Sequence, residues 1–265
     1  MKWPSSITLV RHGESQYNEL RRHKDKDERY KLFKKAFNRD PDSPECRELA
    51  LEMQSKFSLG ISDHDTPLTE AGREQAFLTG ARMKEAVSLP DVVIVSPYIR
   101  TRNTFMVMAS AWPELERKSS VYYDDRVREQ EHGLSLLYND WRVFETMHPE
   151  QRRLRKLLGT YWYQYPQGES AAQTRERVRS MMNTIIREWA GRHVLLITHH
   201  LTILSVRANL ERLSSEEFIR LDEEEKPRNC GVTIYRGNPH RGANGKLELE
   251  CYNRCFWDDP NTHTE

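Results

Sequence analysis

Three short, almost uninterrupted apolar runs constrain this chain more than any other feature: residues 7–10, 92–95 and 194–198. A strand with one face in water alternates apolar and polar residues. A continuous run belongs to a strand covered on both faces, as in a parallel sheet between two helical layers. Between the runs the apolar period lengthens to that of a helix. Residues 69–87 open on Pro67-Leu68-Thr69 with Glu70 in the first turn, a helix start. Residues 170–189 set Val178, Met181, Met182, Ile185 and Trp189 along one side. Two later segments, 230–236 and 246–253, flank a loop containing Gly and Asn, and the second alternates Leu247, Leu249 and Cys251 with Glu248 and Glu250. They predict a hairpin at a sheet edge. The fold class expected is α/β, with a mainly parallel central sheet flanked by helices.

The 265 residues suit a single domain over 1–265, with one segment that departs from the pattern. Residues at about 19–62 are densely charged, and the basic ones concentrate between Arg21 and Arg39. Leu32, Phe33, Phe37, Leu49, Met53 and Phe57 give that segment helical periodicity, so it is expected to be a helical insertion after the first strand. Its basic run is expected to be a solvated helix face, with phosphate or partner binding as the competing role.

Each apolar run ends in residues that carry chemistry. The first continues into Arg11-His12-Gly13-Glu14-Ser15, with Asn18 a turn later; the second into Ser96-Pro97-Tyr98-Ile99-Arg100-Thr101; the third into His199-His200. Ligands of open parallel sheets bind beyond the carboxyl ends of the strands. The three segments are therefore expected to converge on one crevice. Arginine offers a planar fork of donors to phosphate oxygens. A neutral imidazole is a nucleophile whose cationic adduct can leave again. The set suits holding and attacking a phosphoryl group.

The motifs resemble those of the histidine phosphatase superfamily, which includes the cofactor-dependent phosphoglycerate mutases. Arg11-His12-Gly13-Glu14-Ser15 is similar to its R-H-G-E-S signature. Asp65-Thr66-Pro67-Leu68-Thr69 with Gly72, Gln75 and Ala76 looks like D-x-P-L-T-x-x-G-x-x-Q-A. Ser96 to Thr104 looks like S-P-x-x-R-A-x-x-T, with Thr101 in place of the alanine. Arg128-Glu129-Gln130-Glu131-His132-Gly133 is similar to the R-E-Q-x-x-G of the phosphatase branch, Gly168-Glu169-Ser170 to its G-E-S, and Thr198-His199 to its second-histidine motif. Mutases of the family read L-N-E-R-x-Y-G where this chain has Gln130 after Glu129.

The resemblance implies a phosphatase acting on phosphate monoesters through a phosphohistidine on His12. Glu129 is implied to be the acid and then the base. Arg11, Asn18, Arg100, His199 and His200 are implied to bind phosphate, His199 also stabilising the transferring group. Mutase-type phosphoryl transfer, or a regulatory binding protein on the same scaffold, are the alternatives. For Glu129 the competing reading is a surface carboxylate paired with Arg126 or Arg128; for His200, packing or surface; for Glu169, a helix-start acid. Two departures stand out: His200 replaces the glycine that often follows the second histidine, and the insertion replaces a short connection. Starting so soon after His12, the insertion is a candidate lid or substrate-contacting wall.

A small phosphorylated substrate is the expected partner, with no cofactor and no metal. Cys46, Cys230, Cys251 and Cys255 form no paired C-x-x-C units. A net charge of +1 gives no global reason for nucleic-acid binding. With no long apolar run and no signal-peptide pattern, a cytoplasmic protein without membrane contact is expected. Oligomeric state is left open.

Overall fold

The computed structural model describes residues 2–258. Met1 and residues 259–265, the ends of the domain expected over 1–265, lie outside the described part. The strands are β1 (Ser6–Arg11), β2 (Val92–Val95), β3 (Ser120–Tyr123), β4 (His193–Thr198), β5 (Val232–Asn238) and β6 (Lys246–Arg254). The helices are α1 (Gln16–Lys26), α2 (Glu28–Arg39), α3 (Pro44–Lys56), α4 (Glu70–Ala86), α5 (Ile99–Ala111), α6 (Glu114–Arg117), α7 (Trp141–Met147), α8 (Pro149–Leu158), α9 (Ala171–Glu188), α10 (His200–Glu211) and α11 (Ser215–Glu224). The chain divides into two compact units.

The first unit, Met1–Ser15, His64–Glu129 and Thr174–Glu265, holds the sheet, in the order β3-β2-β4-β1-β5-β6. β3, β2, β4 and β1 run parallel; β5 is antiparallel to β1, and β6 to β5. The mainly parallel sheet and its edge hairpin are as expected. β3 is an addition: it is four residues long, and Tyr122 and Tyr123 on it are exposed, so no buried pattern marks it in the sequence.

The continuous apolar runs are buried on both faces, for the reason anticipated. Ile7, Leu9, Ile94, Val194 and Leu196 pack to one side with Val178, Met181, Met182 and Ile185 of α9. Val10, Val93, Val95, Leu195 and Ile197 pack to the other with Ala76 and Met83 of α4 and Phe105 and Met108 of α5. Successive side chains of a strand point to opposite faces, so each run divides between the two clusters. Thr69 caps α4 by accepting the Gly72 N–H at 3.0 Å.

The second unit, Gln16–Asp63 and Gln130–Gln173, is helical. The insertion supplies α1, α2 and α3. Asp27 caps α2, and Ser43 followed by Pro44 opens α3. Tyr30, Phe33, Phe37, Leu49, Met53 and Phe57 share a core with Val143 of α7. Leu32, named in the same periodicity, is 47% exposed. The basic run is largely paired within the unit: Arg22 with Glu19, Lys31 with Glu28, Lys34 with Asp25 and Arg39 with Glu45. Lys24 is buried against Asp140 at 2.7 Å. Burial opposes ionisation of Asp140, but Lys24 and the Tyr30 hydroxyl hold its carboxyl below the usual range.

Candidate active site

The segment that leaves β1 is fixed one backbone group at a time. The His12 N–H donates to Thr198 O at 3.0 Å, the Gly13 N–H to Thr104 Oγ1 at 3.0 Å, and the Glu14 N–H to Gln75 Oε1 at 2.9 Å. Glu14 O accepts the Thr69 N–H at 2.9 Å. The residues around Pro67 therefore build the scaffold of the His12 loop. Gly13 and Gly72 let the two segments touch: a Cβ on Gly13 would lie 2.3 Å from Gly72 O, and one on Gly72 2.0 Å from Glu14 O. Only glycine permits that approach.

His12 is buried, and its Nδ1 lies 2.7 Å from Gly13 O. A carbonyl only accepts, so Nδ1 carries the hydrogen and the neutral ring keeps its lone pair on Nε2. Burial, then the charges of Arg100 and Arg11, push its pKa well below 6.5. The ring therefore stays neutral, as a nucleophile requires.

His199 ends β4 and stands at the N-cap of α10, its ring 5.2 Å from that of His12. Its Nε2 shares a 2.7 Å hydrogen bond with Ser96 Oγ, just beyond β2. Its Nδ1 is buried with no hydrogen-bond partner among the described residues. Burial and then Arg100 also drive the His199 pKa well below 6.5. Tyr98 lies between these groups, 4.8 Å from the Arg100 guanidinium and 5.1 Å from the His199 ring, edge to face. Arg100 is itself buried, in the first turn of α5. The Thr101 departure is absorbed locally: its hydroxyl donates toward Ser96 O and Tyr98 O at 2.9 and 2.7 Å. Arg11 donates from Nη1 to Pro227 O at 2.7 Å.

Glu129 is half-buried, and its Oε1 accepts the Leu201 N–H at 3.1 Å in the first turn of α10. That amide fixes the carboxylate one turn from His199. The segment before it is held by Thr198 Oγ1 donating to Val127 O, Thr202 Oγ1 to Arg128 O, and Arg177 to the carbonyls of Arg126, Arg128 and Glu129. Arg126 pairs with Asp124 at 2.7 Å. His200 turns toward Asp222 of α11, Nε2 to Oδ1 at 2.9 Å. Asn18 lies in the first turn of α1, in the second unit. Glu169, also in that unit, accepts the Glu131 N–H through Oε2 at 3.2 Å.

Within the first unit the structure thus gathers His12, Arg11, Arg100 and His199, with Glu129 at the start of α10. The roles of Ser96, Gln75, Thr104 and Arg177 were not legible. Ser96, Gln75 and Thr104 sit in the quoted motifs, but which atom each one holds is a long-range fact. Asn229, whose Nδ2 donates to His12 O at 3.0 Å, carried no signal.

The arrangement agrees with what the chain is similar to. The family model for the histidine phosphatase superfamily (branch 1) matches residues 56–248. A phosphoglycerate mutase-like protein of Arabidopsis thaliana is 29% identical over 180 residues, covering 60% of this chain and 61% of that protein. A second from the same plant is 29% identical over 192 residues, 70% of this chain and 48% of its own. The chain therefore spans only about half to three-fifths of the length of these two relatives. A probable phosphoglycerate mutase of Erwinia tasmaniensis is 30% identical over 175 residues, covering 62% of this chain and 76% of that one. Among solved structures, a mycobacterial glucosyl-3-phosphoglycerate phosphatase in complex with inorganic phosphate shares the fold: TM-score 0.63 at 18% identity, over 96% of this chain and 100% of that one. The matched range begins near the end of the insertion and leaves out His12, yet His12 is bonded to Thr198 and its neighbours to Gln75 and Thr104, all inside that range. With well over half its length matched and its first motif locked to that part, the chain belongs to the histidine phosphatase superfamily.

Proposed function

We propose that this protein is a phosphatase that hydrolyses phosphate monoesters through a phosphohistidine on His12. The observation that carries the reading is the His12 ring: Nδ1–H held by Gly13 O, Nε2 left with the lone pair, and burial, then the charges of Arg100 and Arg11, favouring the neutral form. In the first half-reaction the Nε2 lone pair attacks phosphorus and the P–O bond to the leaving group breaks. Glu129 delivers a proton to that oxygen from Oε2, since Oε1 is engaged by the Leu201 N–H. In the second, water attacks phosphorus, Glu129 takes the proton, and the P–N bond breaks to restore the neutral ring. Arg11 and Arg100 hold the phosphoryl oxygens, the role that the resemblance also gives Asn18. His199 joins them through Nδ1–H, its Nε2 accepting the Ser96 hydroxyl. Such donors supply most of the rate, each worth about 10²–10³.

Hydrolysis is favoured over mutase transfer by the residue after Glu129. Gln130 is buried and its amide donates to Glu169 O at 2.7 Å, so a neutral donor stands where mutases of the family place arginine. The test is a panel of phosphomonoesters assayed without added metal for released phosphate, and in parallel for conversion of 3-phosphoglycerate to 2-phosphoglycerate. Phosphate release without isomerisation supports the proposal. Isomerisation with little release overturns it.

A further inference from the structure

Helix α8 has its polarity inverted for a helix packed on a core. Leu154, Leu157 and Leu158 fall at i, i+3 and i+4 and form one stripe. Such a stripe normally faces inward. Here no residue of α8 is buried; Leu157 is 83% exposed, and Leu154 and Leu158 are 41% and 47% exposed.

What fastens α8 is its charged side. Arg155 Nε lies 2.7 Å from Glu145 Oε1 of α7, a side chain only 4% exposed. Arg152 donates from Nη1 to Glu145 O at 3.2 Å and pairs through Nη2 with Asp42 at 2.6 Å. The Arg155 guanidinium also lies 4.5 Å from the Trp141 ring. The other two cations of the helix, Arg153 and Lys156, are exposed and join no ion pair among the described residues. After α8 the chain turns at Gly159 and presents Trp162, 60% exposed, braced edge to face on buried Tyr161 at 4.8 Å.

We infer that Leu154, Leu157, Leu158 and Trp162, with Arg153 and Lys156, form a docking face for an anionic membrane surface. The leucines and the indole enter the boundary between headgroups and acyl chains, and the two cations meet the acidic headgroups. An apolar stripe, an interfacial tryptophan and flanking cations are the composition of a helix lying in that plane. A second copy of the chain is disfavoured by charge. The helix carries four cations, Arg152, Arg153, Arg155 and Lys156, against one acid, Glu150, which lies one turn before Leu154 and beside His148, so two copies of α8 would repel. Attachment is to the surface, since no helix among the described residues is long and apolar enough to cross a bilayer. A ten-residue helix inserts one shallow segment, so binding is reversible. The expectation of no membrane contact rested on the absence of spanning segments, and this face does not span. The inference stands apart from the catalytic reading.

The test is cosedimentation of the full chain with vesicles of phosphatidylcholine alone and of an equimolar phosphatidylcholine–phosphatidylserine mixture, followed also by tryptophan emission. The chain should bind the anionic vesicles with a blue shift that Trp162→Phe diminishes, and salt should weaken binding. Leu157→Gln with Leu158→Gln should weaken it at least about tenfold, and loss of each cation about fivefold. Arg153→Glu with Lys156→Glu should abolish it. These positions are exposed, so circular dichroism and turnover of a soluble substrate should stay as in the parent chain. Binding to neither vesicle, equal binding of parent and variants, or a dimer that the double glutamine variant converts to monomer would each overturn the inference.

Discussion

Gly72→Ala sets local helix preference against a tertiary contact, and the two predict opposite signs. Gly72 sits in the first turn of α4, where alanine is the better helix former by about 0.5–1 kcal/mol. The structure forbids that gain. The new Cβ would lie 2.0 Å from Glu14 O and 2.8 Å from Glu14 C and N. Carbon and a carbonyl oxygen meet no closer than about 3.3 Å, so the backbones must separate by roughly 1 Å. Neither can yield cheaply, because Glu14 N is held by Gln75 and Glu14 O by Thr69. Overpacking costs about 1–3 kcal/mol, and one strained hydrogen bond about 1 kcal/mol more. The expected net destabilisation is about 2–4 kcal/mol, a fall in Tm of roughly 5–15 °C for a chain of this size. The same displacement moves His12, and about 1 Å of misplacement costs on the order of 10² in kcat. Thermal unfolding and steady-state turnover measure the two effects. A variant as stable as its parent, or more so, would refute the claim that this contact holds the His12 loop.

His12→Ala should abolish both turnover of p-nitrophenyl phosphate and the acid-labile, base-stable phosphoramidate trapped with labelled substrate; label on a serine or aspartate would point to another nucleophile. Glu129→Gln should slow alkyl phosphates far more than nitrophenyl phosphate, and equal losses would remove the acid role. Ser96→Ala should lower kcat about 10–10²-fold by freeing the His199 ring from its Nε2 anchor, with a smaller change in KM; an unchanged kcat would make that bond incidental. Burial first, and then Arg100, depress both buried histidines, so activity should show no acid limb at 6.5 and should decline only at lower pH. The sign for stability follows from the same shifts. The unfolded chain binds these protons more readily, so the contribution is full above 6.5 and is lost as pH falls below it. Denaturant midpoints measured from about pH 7 down to pH 5 should therefore decrease, and by less in His199→Gln.

The residues that could be read from sequence are those whose neighbours in the chain determine their environment. Val92 to Val95 announce a strand buried on both faces because every residue in the run is apolar. Phe33, Phe37, Leu49 and Met53 announce helices because their spacing is that of a helix. β3 failed this test, being short, exposed and paired on one side only. So did α7 and α8, whose sequence does not reveal that Val143 completes the core of α2 and α3, or that α8 is anchored by Arg152 and Arg155 while its leucines face water. Leu32 shows the complementary case, an apolar residue that contributes to the helical periodicity and yet lies outside the core.

The chemistry divides along the same line. His12, Arg11, Arg100 and His199 follow the ends of strands whose parallel order was legible, so their convergence was predictable from topology. What sequence withheld is the tuning. That Nδ1 of His12 meets Gly13 O, that Ser96 holds His199, and that Leu201 N fixes Glu129 are pairings set by how loops close in three dimensions. Yet these pairings decide which nitrogen of His12 keeps its lone pair, which nitrogen of His199 meets Ser96, and which oxygen of Glu129 takes the Leu201 amide. The Thr101 departure makes the point in reverse. In sequence it is a mismatch to the family motif, and in the structure its hydroxyl is taken up by Ser96 O and Tyr98 O, the turn that presents both the His199 anchor and the aromatic support of Arg100. Replacing it with alanine, the family residue, should therefore leave kcat within about a factor of three and cost about 1 kcal/mol of stability, the worth of an ordinary hydrogen bond. A tenfold loss of kcat would mean that the hydroxyl tunes the site through Ser96, and the division drawn here between scaffold and chemistry would have to move.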